Sequence, residues 1–354
     1  VKILVISLAG IGDTLFATPL IHELRLNFPT ARIDVLVTWC GSRDLFLRNP
    51  YVNNVYQKNL IEAGLIDGFR FLFKLRKIRY DASLNPMPQS RVEYRLIARF
   101  IGARLRISHE YPHFALLTPF LVNRTRPLDY TKHCVENNLA LLDFLGAKPA
   151  LAQHGYELFL GSEENQWAQN WITQRNLQAY RLLGVHIGSG GTKNLALRRW
   201  PPDRYAALVN RVTSSHSYVA VILFGGPQEV DEHQSLLRAT ASSRVFVCET
   251  TDILKTAALI GKCALFLSVD TALMHLAAAV GVSHQIIIET PTWNPTIEPY
   301  RGNYTLVSNP MVGGKNLEYY RYNGRGIRGG KVHIQECMRS VSVDAVYKEI
   351  QKWL

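Results

Sequence analysis

Asp13 is the first residue of this sequence equipped to act as a general base. It sits in Gly10-Ile11-Gly12-Asp13-Thr14, behind the apolar run of residues 1–8 and ahead of helix-like periodicity over residues 14–28. The loop approaches the dinucleotide pattern G-x-G-x-x-G, but Leu15 takes the third glycine position, which weakens a dehydrogenase reading. A carboxylate at a helix start is kept ionised by the dipole and can remove a proton. The alternative is a cap that only satisfies backbone N–H groups.

Three further loops carry candidate ligands. Gly188-Ser189-Gly190-Gly191-Thr192-Lys193 follows the apolar run of residues 181–187. Successive glycines let backbone N–H groups approach a phosphate, and Lys193, Arg198 or Arg199 supplies a neutralising cation. Lys193 is followed by Asn194, which disfavours a P-loop ATPase. The alternative is a merely flexible connection. In Ser268-Val269-Asp270-Thr271-Ala272-Leu273-Met274-His275, Asp270 ends a buried strand, and Thr271 and Ala272 open a helix whose free N–H groups make an anion site. His275 lies one turn beyond Thr271 on the same face and reads equally as a ligand contact or a core histidine. Glu229, after Phe224-Gly225-Gly226-Pro227, suits ribose hydroxyls or is a solvated helix-start glutamate.

Residues 69–79 are basic and aromatic with no acid among them. At helical spacing Arg70, Lys74 and Lys77 share one face, and Phe69, Leu72 and Phe73 another. Such a segment suits an anionic membrane surface or an anionic acceptor. The alternative is a surface helix that packs its aromatic side on a sheet and solvates its cations.

The elements that must position these loops alternate between strand and helix. Short apolar strands separated by helical segments imply βαβ units and a parallel sheet. The pattern runs once through the first part of the chain and restarts near residue 181, which predicts two Rossmann-like, doubly wound α/β domains. The expected division is residues 1–160, a linker over 161–180 around the polar Gly161-Ser162-Glu163-Glu164-Asn165, and residues 181–340. A terminal amphipathic helix over residues 341–354 is expected to pack back across the first half. Ligands in open α/β sheets bind at the carboxyl ends of strands, so the loops are expected to face one another across a cleft.

Composition narrows the function classes. A 47% hydrophobic share with 19% charged residues describes a packed protein and excludes a disordered one. The five cysteines are scattered, with no C-x-x-C pair, which argues against a disulfide framework or zinc knuckle and for a reduced, cytoplasmic compartment. No signal segment or run of roughly 18 apolar residues is present to suggest secretion or a membrane span. A net charge of +12 favours a polyanionic partner. Nucleic acid is disfavoured, because basic and aromatic residues interleave only over residues 69–79.

Taken together and in order, these loops resemble glycosyltransferase family 9, the heptosyltransferases of lipopolysaccharide assembly. The resemblance rests on Gly12-Asp13, on Gly188-Ser189 through Arg199-Trp200-Pro201, on Phe224-Gly225-Gly226-Pro227 with Glu229, and on residues 268–279. Ala272 stands where the family usually has glycine, and Thr290-Pro291-Thr292 where it tends to Gly-Pro-Thr. The resemblance implies a GT-B fold with the acceptor in the first domain and a nucleotide-sugar donor, ADP-heptose, in the second. It implies inverting transfer to a lipopolysaccharide core or related surface glycan, with Asp13 as catalytic base. Ser189, Gly190 and Arg198 look like diphosphate contacts, and Glu229 and Thr250 like nucleoside contacts. Asp270, Thr271, Ala272 and His275 look like the donor sugar and diphosphate pocket. Gly10, Arg70, Lys74 and Lys77 are the acceptor-side candidates. No metal, resident cofactor or obligate protein partner is expected, and the enzyme is expected to sit peripherally at the cytoplasmic face of the inner membrane. Another nucleotide sugar or acceptor, or a non-catalytic protein binding a nucleotide or phospho-glycan, is the competing expectation.

Overall fold

A computed structural model describes residues 1–111, 115–190, 195–314, 327 and 330–354. They form two compact units, Val1–Phe159 with Pro295–Tyr300, and Leu160–Asn294 with Arg301–Leu354.

The first unit runs β1 (Lys2–Ser7), α1 (Ile11–Leu15), α2 (Thr18–Asn27), β2 (Arg32–Val37), α3 (Cys40–Asp44), β3 (Asn54–Gln57) and α4 (Leu65–Lys77). It continues through β4 (Ala82–Asn85), α5 (Val92–Ile101), β5 (Leu105–His109), α6 (Thr118–Leu121), β6 (Arg124–Arg126) and α7 (Cys134–Leu139). Its six described strands pair in parallel in the order β3-β2-β1-β4-β5-β6. A parallel sheet is covered on both faces, so its central strands must be apolar throughout. Ile3, Leu4, Val5 and Ile6 of β1 are accordingly fully buried. Leu4 and Ile6 meet Leu72 and Leu75 of α4 and Ala98 and Ile101 of α5. Strand alternation turns Ile3 and Val5 to the opposite face. The polar strand Arg124–Arg126 takes an edge, where one side needs no partner strand.

The second unit runs α8 (Ser162–Gln174), β7 (Arg181–His186), α9 (Pro202–Ser215), β8 (Val219–Phe224), α10 (Val230–Ala239), β9 (Val245–Val247) and α11 (Ile253–Ile260). Then follow β10 (Leu265–Ser268), α12 (Ala272–Ala279), β11 (Gln285–Ile288), β12 (Tyr304–Val307), α13 (Lys331–Arg339) and α14 (Val343–Ile350). The strand order β12-β11-β10-β7-β8-β9 repeats that of the first sheet, again all parallel. Both are the doubly wound arrangement expected from the strand–helix alternation. No helix among the described residues is long and apolar enough to cross a membrane.

The chain departs from its expected division in three places. Residues 162–174 form a helix instead of a linker: Glu164 Oε2 accepts the Gly161 N–H at 2.8 Å, and the buried Ala168, Trp171 and Ile172 make an apolar stripe. The polar run is that helix's first turn. The terminal helix α14 packs on α9 and on β11 and β12 in the second unit, where Val346, Tyr347 and Ile350 join the core. Residues 295–300 belong to the first unit: Cys134 N–H donates to Thr296 O at 2.8 Å, and His133 Nε2 lies 2.9 Å from Glu298 O.

Candidate functional site

In each sheet the strand order reverses once, between β1 and β4 in the first and between β7 and β10 in the second. Loops at the carboxyl ends of such strand pairs diverge and leave a crevice. The candidate residues gather at these two points.

In the first unit, Asp13 stands on the first turn after β1. Its Oδ2 accepts the Gly10 N–H at 2.8 Å, so the carboxylate does cap the turn. A Cβ on Gly10 would lie 3.0 Å from that same oxygen, so glycine lets the carboxylate close in. Thr14 donates from Oγ1 to Gly10 O and lies 3.0 Å from Ser42 Oγ, which ties this turn to the one after β2. Asp13 itself is only partly buried. Across the strand reversal, the buried Gln89 holds the segment after β4 against β1. It donates from Nε2 to Ile6 O and Pro86 O, and accepts the Leu8 N–H. Arg91 and Tyr94 follow. Burial raises the Tyr94 phenol above its ordinary range; the Arg91 charge opposes that shift, and the Asp13 charge adds to it. The Tyr94 phenol therefore lies within the electrostatic reach of Asp13, and nothing in its local sequence signals it.

Arg70, Lys74 and Lys77 are exposed on α4. Lys77 shares a groove with Asp81 and Arg104, at the amino-terminal ends of β4 and β5, and so stands at the other end of the sheet from Gly10 and Asp13. The expected aromatic face of α4 is also divided: Leu72 is buried, whereas Phe69 and Phe73 stay more than half exposed.

In the second unit, the loops after β7, β8, β10 and β11 converge. Arg198 donates from Nη1 to Asp270 Oδ2 at 2.7 Å and to Thr292 Oγ1 at 3.1 Å. Its neighbour Arg199 turns elsewhere, donating from Nη2 to Glu229 Oε1 at 2.8 Å and to Ser189 O at 3.0 Å, and from Nη1 to Glu232 Oε1. The Nε atoms of both arginines are buried and have no hydrogen-bond partner among the described residues. Glu229 also accepts the Gly226 N–H at 2.8 Å and is buried, an interior ion-pair partner and no solvated helix-start residue. Gly188 permits this closeness, since a Cβ there would stand 2.6 Å from Glu229 Oε1 and 2.8 Å from His186 Nε2.

Thr271 caps α12, its Oγ1 accepting the Met274 N–H at 3.4 Å and lying 3.0 Å from His186 Nδ1. Ala272 begins the helix, whose first N–H groups lack intrahelical acceptors. Burial pulls the His186 and His275 imidazoles down to about 3, with the Arg198 charge adding to the effect on His275. Both are neutral at pH 7, so His275 can offer a hydrogen bond but no charge. Ser189 is buried, its Oγ donating to Leu195 O at 3.0 Å, while Gly190 is exposed. Thr250, on the loop after β9, accepts the Asp252 N–H at 3.1 Å. Lys193 lies outside the described residues. No group of three His, Cys, Asp or Glu side chains among the described residues is placed to hold a metal ion.

The arrangement offers an anion one oriented guanidinium and the start of a helix, framed by neutral hydrogen-bonding groups. The first unit offers a partly accessible carboxylate within the electrostatic reach of a phenol.

The family model of glycosyltransferase family 9 (heptosyltransferase) matches residues 69–323. Lipopolysaccharide heptosyltransferase 3 of Escherichia coli strain K12 is 27% identical over 338 residues, which cover 87% of this chain and 90% of that protein. Among solved structures, the glycosyl transferase family 9 protein of Veillonella parvula aligns with a TM-score of 0.76 at 20% identity, over 99% of this chain and 96% of its own. The E. coli heptosyltransferase WaaC with ADP-2-deoxy-2-fluoro heptose aligns with a TM-score of 0.70 at 19% identity, over 99% of both chains. At these identities the two structures speak to the fold.

Proposed function

The chain belongs to glycosyltransferase family 9, and from that premise we propose that it moves a heptose from ADP-heptose to a lipopolysaccharide core acceptor, with inversion at the anomeric carbon. The observation that carries this reading is the Arg198–Asp270 pair beside the capped start of α12, a site for a diphosphate at the strand reversal of the second sheet. The name of the E. coli relative supports the acceptor class, and the ADP-heptose analogue bound to a protein of the same fold supports the donor.

In this reading the acceptor hydroxyl binds to the first unit, and Asp13 takes its proton as the oxygen attacks the anomeric carbon. The bond from that carbon to the diphosphate oxygen breaks on the opposite side, and ADP leaves carrying the charge. Arg198 and the first N–H groups of α12 stabilise the growing charge, which lets the reaction run without a metal ion. The cap on Gly10 does not by itself bar Asp13 from serving, because a carboxylate has about four acceptor sites. The acceptor is an anionic glycolipid, and the enzyme works peripherally at the cytoplasmic face of the inner membrane.

A labelled-heptose assay on a truncated lipopolysaccharide acceptor tests the reading, with NMR of the product giving the anomeric configuration. Transfer from ADP-heptose with inversion is the expected result. Donor binding without transfer to any glycan would favour a non-catalytic binding protein, in which Asp13 is only the cap seen at Gly10. A thermal-shift comparison of ADP-, GDP- and UDP-sugars identifies the nucleotide, because a ligand that binds only the folded chain raises its melting temperature.

A further inference from the structure

We propose that the α4 side of the first unit docks on an anionic phospholipid bilayer, with α4 lying in the headgroup layer. A helix that covers a sheet needs one apolar stripe. On α4 that stripe is Leu72 and Leu75, buried against β1 and α5. The helix carries a second one. Leu65, Ile66, Phe69 and Phe73 follow at spacings of three and four residues and remain 82%, 69%, 54% and 51% exposed. At 3.6 residues per turn they occupy a sector beside the buried stripe, and Arg70, Lys74 and Lys77 fill the sector beyond it. All three cations are exposed, and Lys77 Nζ lies 5.0 Å from the centre of the Phe73 ring. An apolar stripe edged with Lys and Arg on a helix of low overall hydrophobicity is the pattern of an interfacial helix.

The neighbouring helices extend the patch. Leu96 on α5, which packs against α4, is 56% exposed, and Phe120 on α6, which packs against α5, is 73% exposed. Where α4 and α5 end, a groove of about 520 Å3 is lined by Phe73, Arg76, Lys77, Arg79 and Arg104. Its one acid, Asp81, is already engaged by the Lys2 N–H at 2.8 Å. Gly102, at φ +75°, leaves room for Arg76, whose Nη1 would otherwise stand 2.6 Å from a Cβ. Four cations around one groove suit the phosphates of lipid headgroups. Charge also selects the occupant: a second copy of this face would set cation against cation. The inference rests on the proposed transfer only for the identity of the acceptor as a membrane glycolipid.

Co-sedimentation of the full chain with phosphatidylethanolamine–phosphatidylglycerol vesicles, against phosphatidylcholine vesicles, tests the proposal. Wild type is expected to bind the anionic vesicles and to weaken several-fold at high salt. A combined Ile66→Ser, Phe69→Ser and Phe73→Ser variant is expected to lose about tenfold or more in vesicle affinity, with an unchanged circular dichroism spectrum. Its transfer to a delipidated, water-soluble acceptor should equal that of wild type. In a separate Phe69→Trp variant, emission should shift to the blue when anionic vesicles are added. The proposal is overturned if wild type ignores anionic vesicles, if the serine variant binds as tightly, or if the Trp emission does not move. Loss of vesicle binding in the serine variant, with no transfer to soluble acceptor even by wild type, would uphold docking and remove the transfer reading instead.

Discussion

Arg198 and Asp270, 72 residues apart in the chain, meet at 2.7 Å with both side chains largely buried. The pair links the loop after β7 to the turn after β10, the two segments that flank the strand reversal. A cation held there needs no reorganisation when a diphosphate arrives, and poor solvation strengthens its field.

Replacing Arg198 with Ala should strand the Asp270 carboxylate in a site nearly closed to water. Breaking a buried pair costs about 3 kcal/mol or more, so the melting temperature should fall by several degrees. The ADP-heptose thermal shift should vanish as well, and Arg198→Lys should recover part of the stability but little of the donor affinity. An Arg198→Ala chain with wild-type donor affinity would remove Arg198 from the diphosphate site.

Asp13→Asn keeps a side-chain oxygen for the Gly10 N–H but loses the basicity. Turnover is expected to drop by about 10²–10⁴-fold while donor affinity stays as in wild type. Single-turnover transfer and donor titration on the same preparation separate the two effects. Unchanged turnover would leave Asp13 as a cap alone.

A methyl group at Gly188 has nowhere to go. Gly188→Ala would push on Glu229 Oε1 and His186 Nε2 together, disturbing both the Arg199 ion pair and the hydroxyl cap of α12. Overpacking of this kind costs about 1–3 kcal/mol, and donor KM should rise because both walls of the site shift. Denaturant melts and donor KM are the measurements; a wild-type midpoint would show that the loop yields freely.

Acid should weaken the second unit before its carboxylates titrate. His186 and His275 are held neutral by burial, with values near 3 in the folded chain against 6.5 as the ordinary value. Between those limits the unfolded chain binds the extra protons, so stability is whole above about pH 6.5 and declines as pH falls towards 3. At pH 5 each histidine should cost about 2 kcal/mol relative to pH 7.5. Urea midpoints across that range should fall, and His275→Asn should flatten the slope; a midpoint independent of pH would contradict the burial of neutral imidazoles.

The strand and helix order was legible because the strands are continuous apolar runs closed by glycine-rich turns, and both Asp13 and Asp270 sit directly behind such runs. What local pattern could not convey lies across the strand reversals. Tyr94 comes near Asp13, and Thr292 reaches Arg198, only through sheet pairing of distant segments. Residues 161–180 read as a linker because the polar run 161–165 masks the apolar stripe that begins three residues after it. On α4 helical spacing sets Phe69, Leu72 and Phe73 on one face, yet Leu72 turns inward and Phe69 and Phe73 outward, since the sheet takes only one stripe.

The hexapeptide Pro295–Tyr300 gives this chain an interleaved ancestry in any recombination experiment. A hybrid joined to a relative at a single junction near residue 160 would graft a foreign hexapeptide beneath His133 and Cys134. Exchanging donor and acceptor specificities between family members will therefore require three crossovers, so that those six residues travel with the front half.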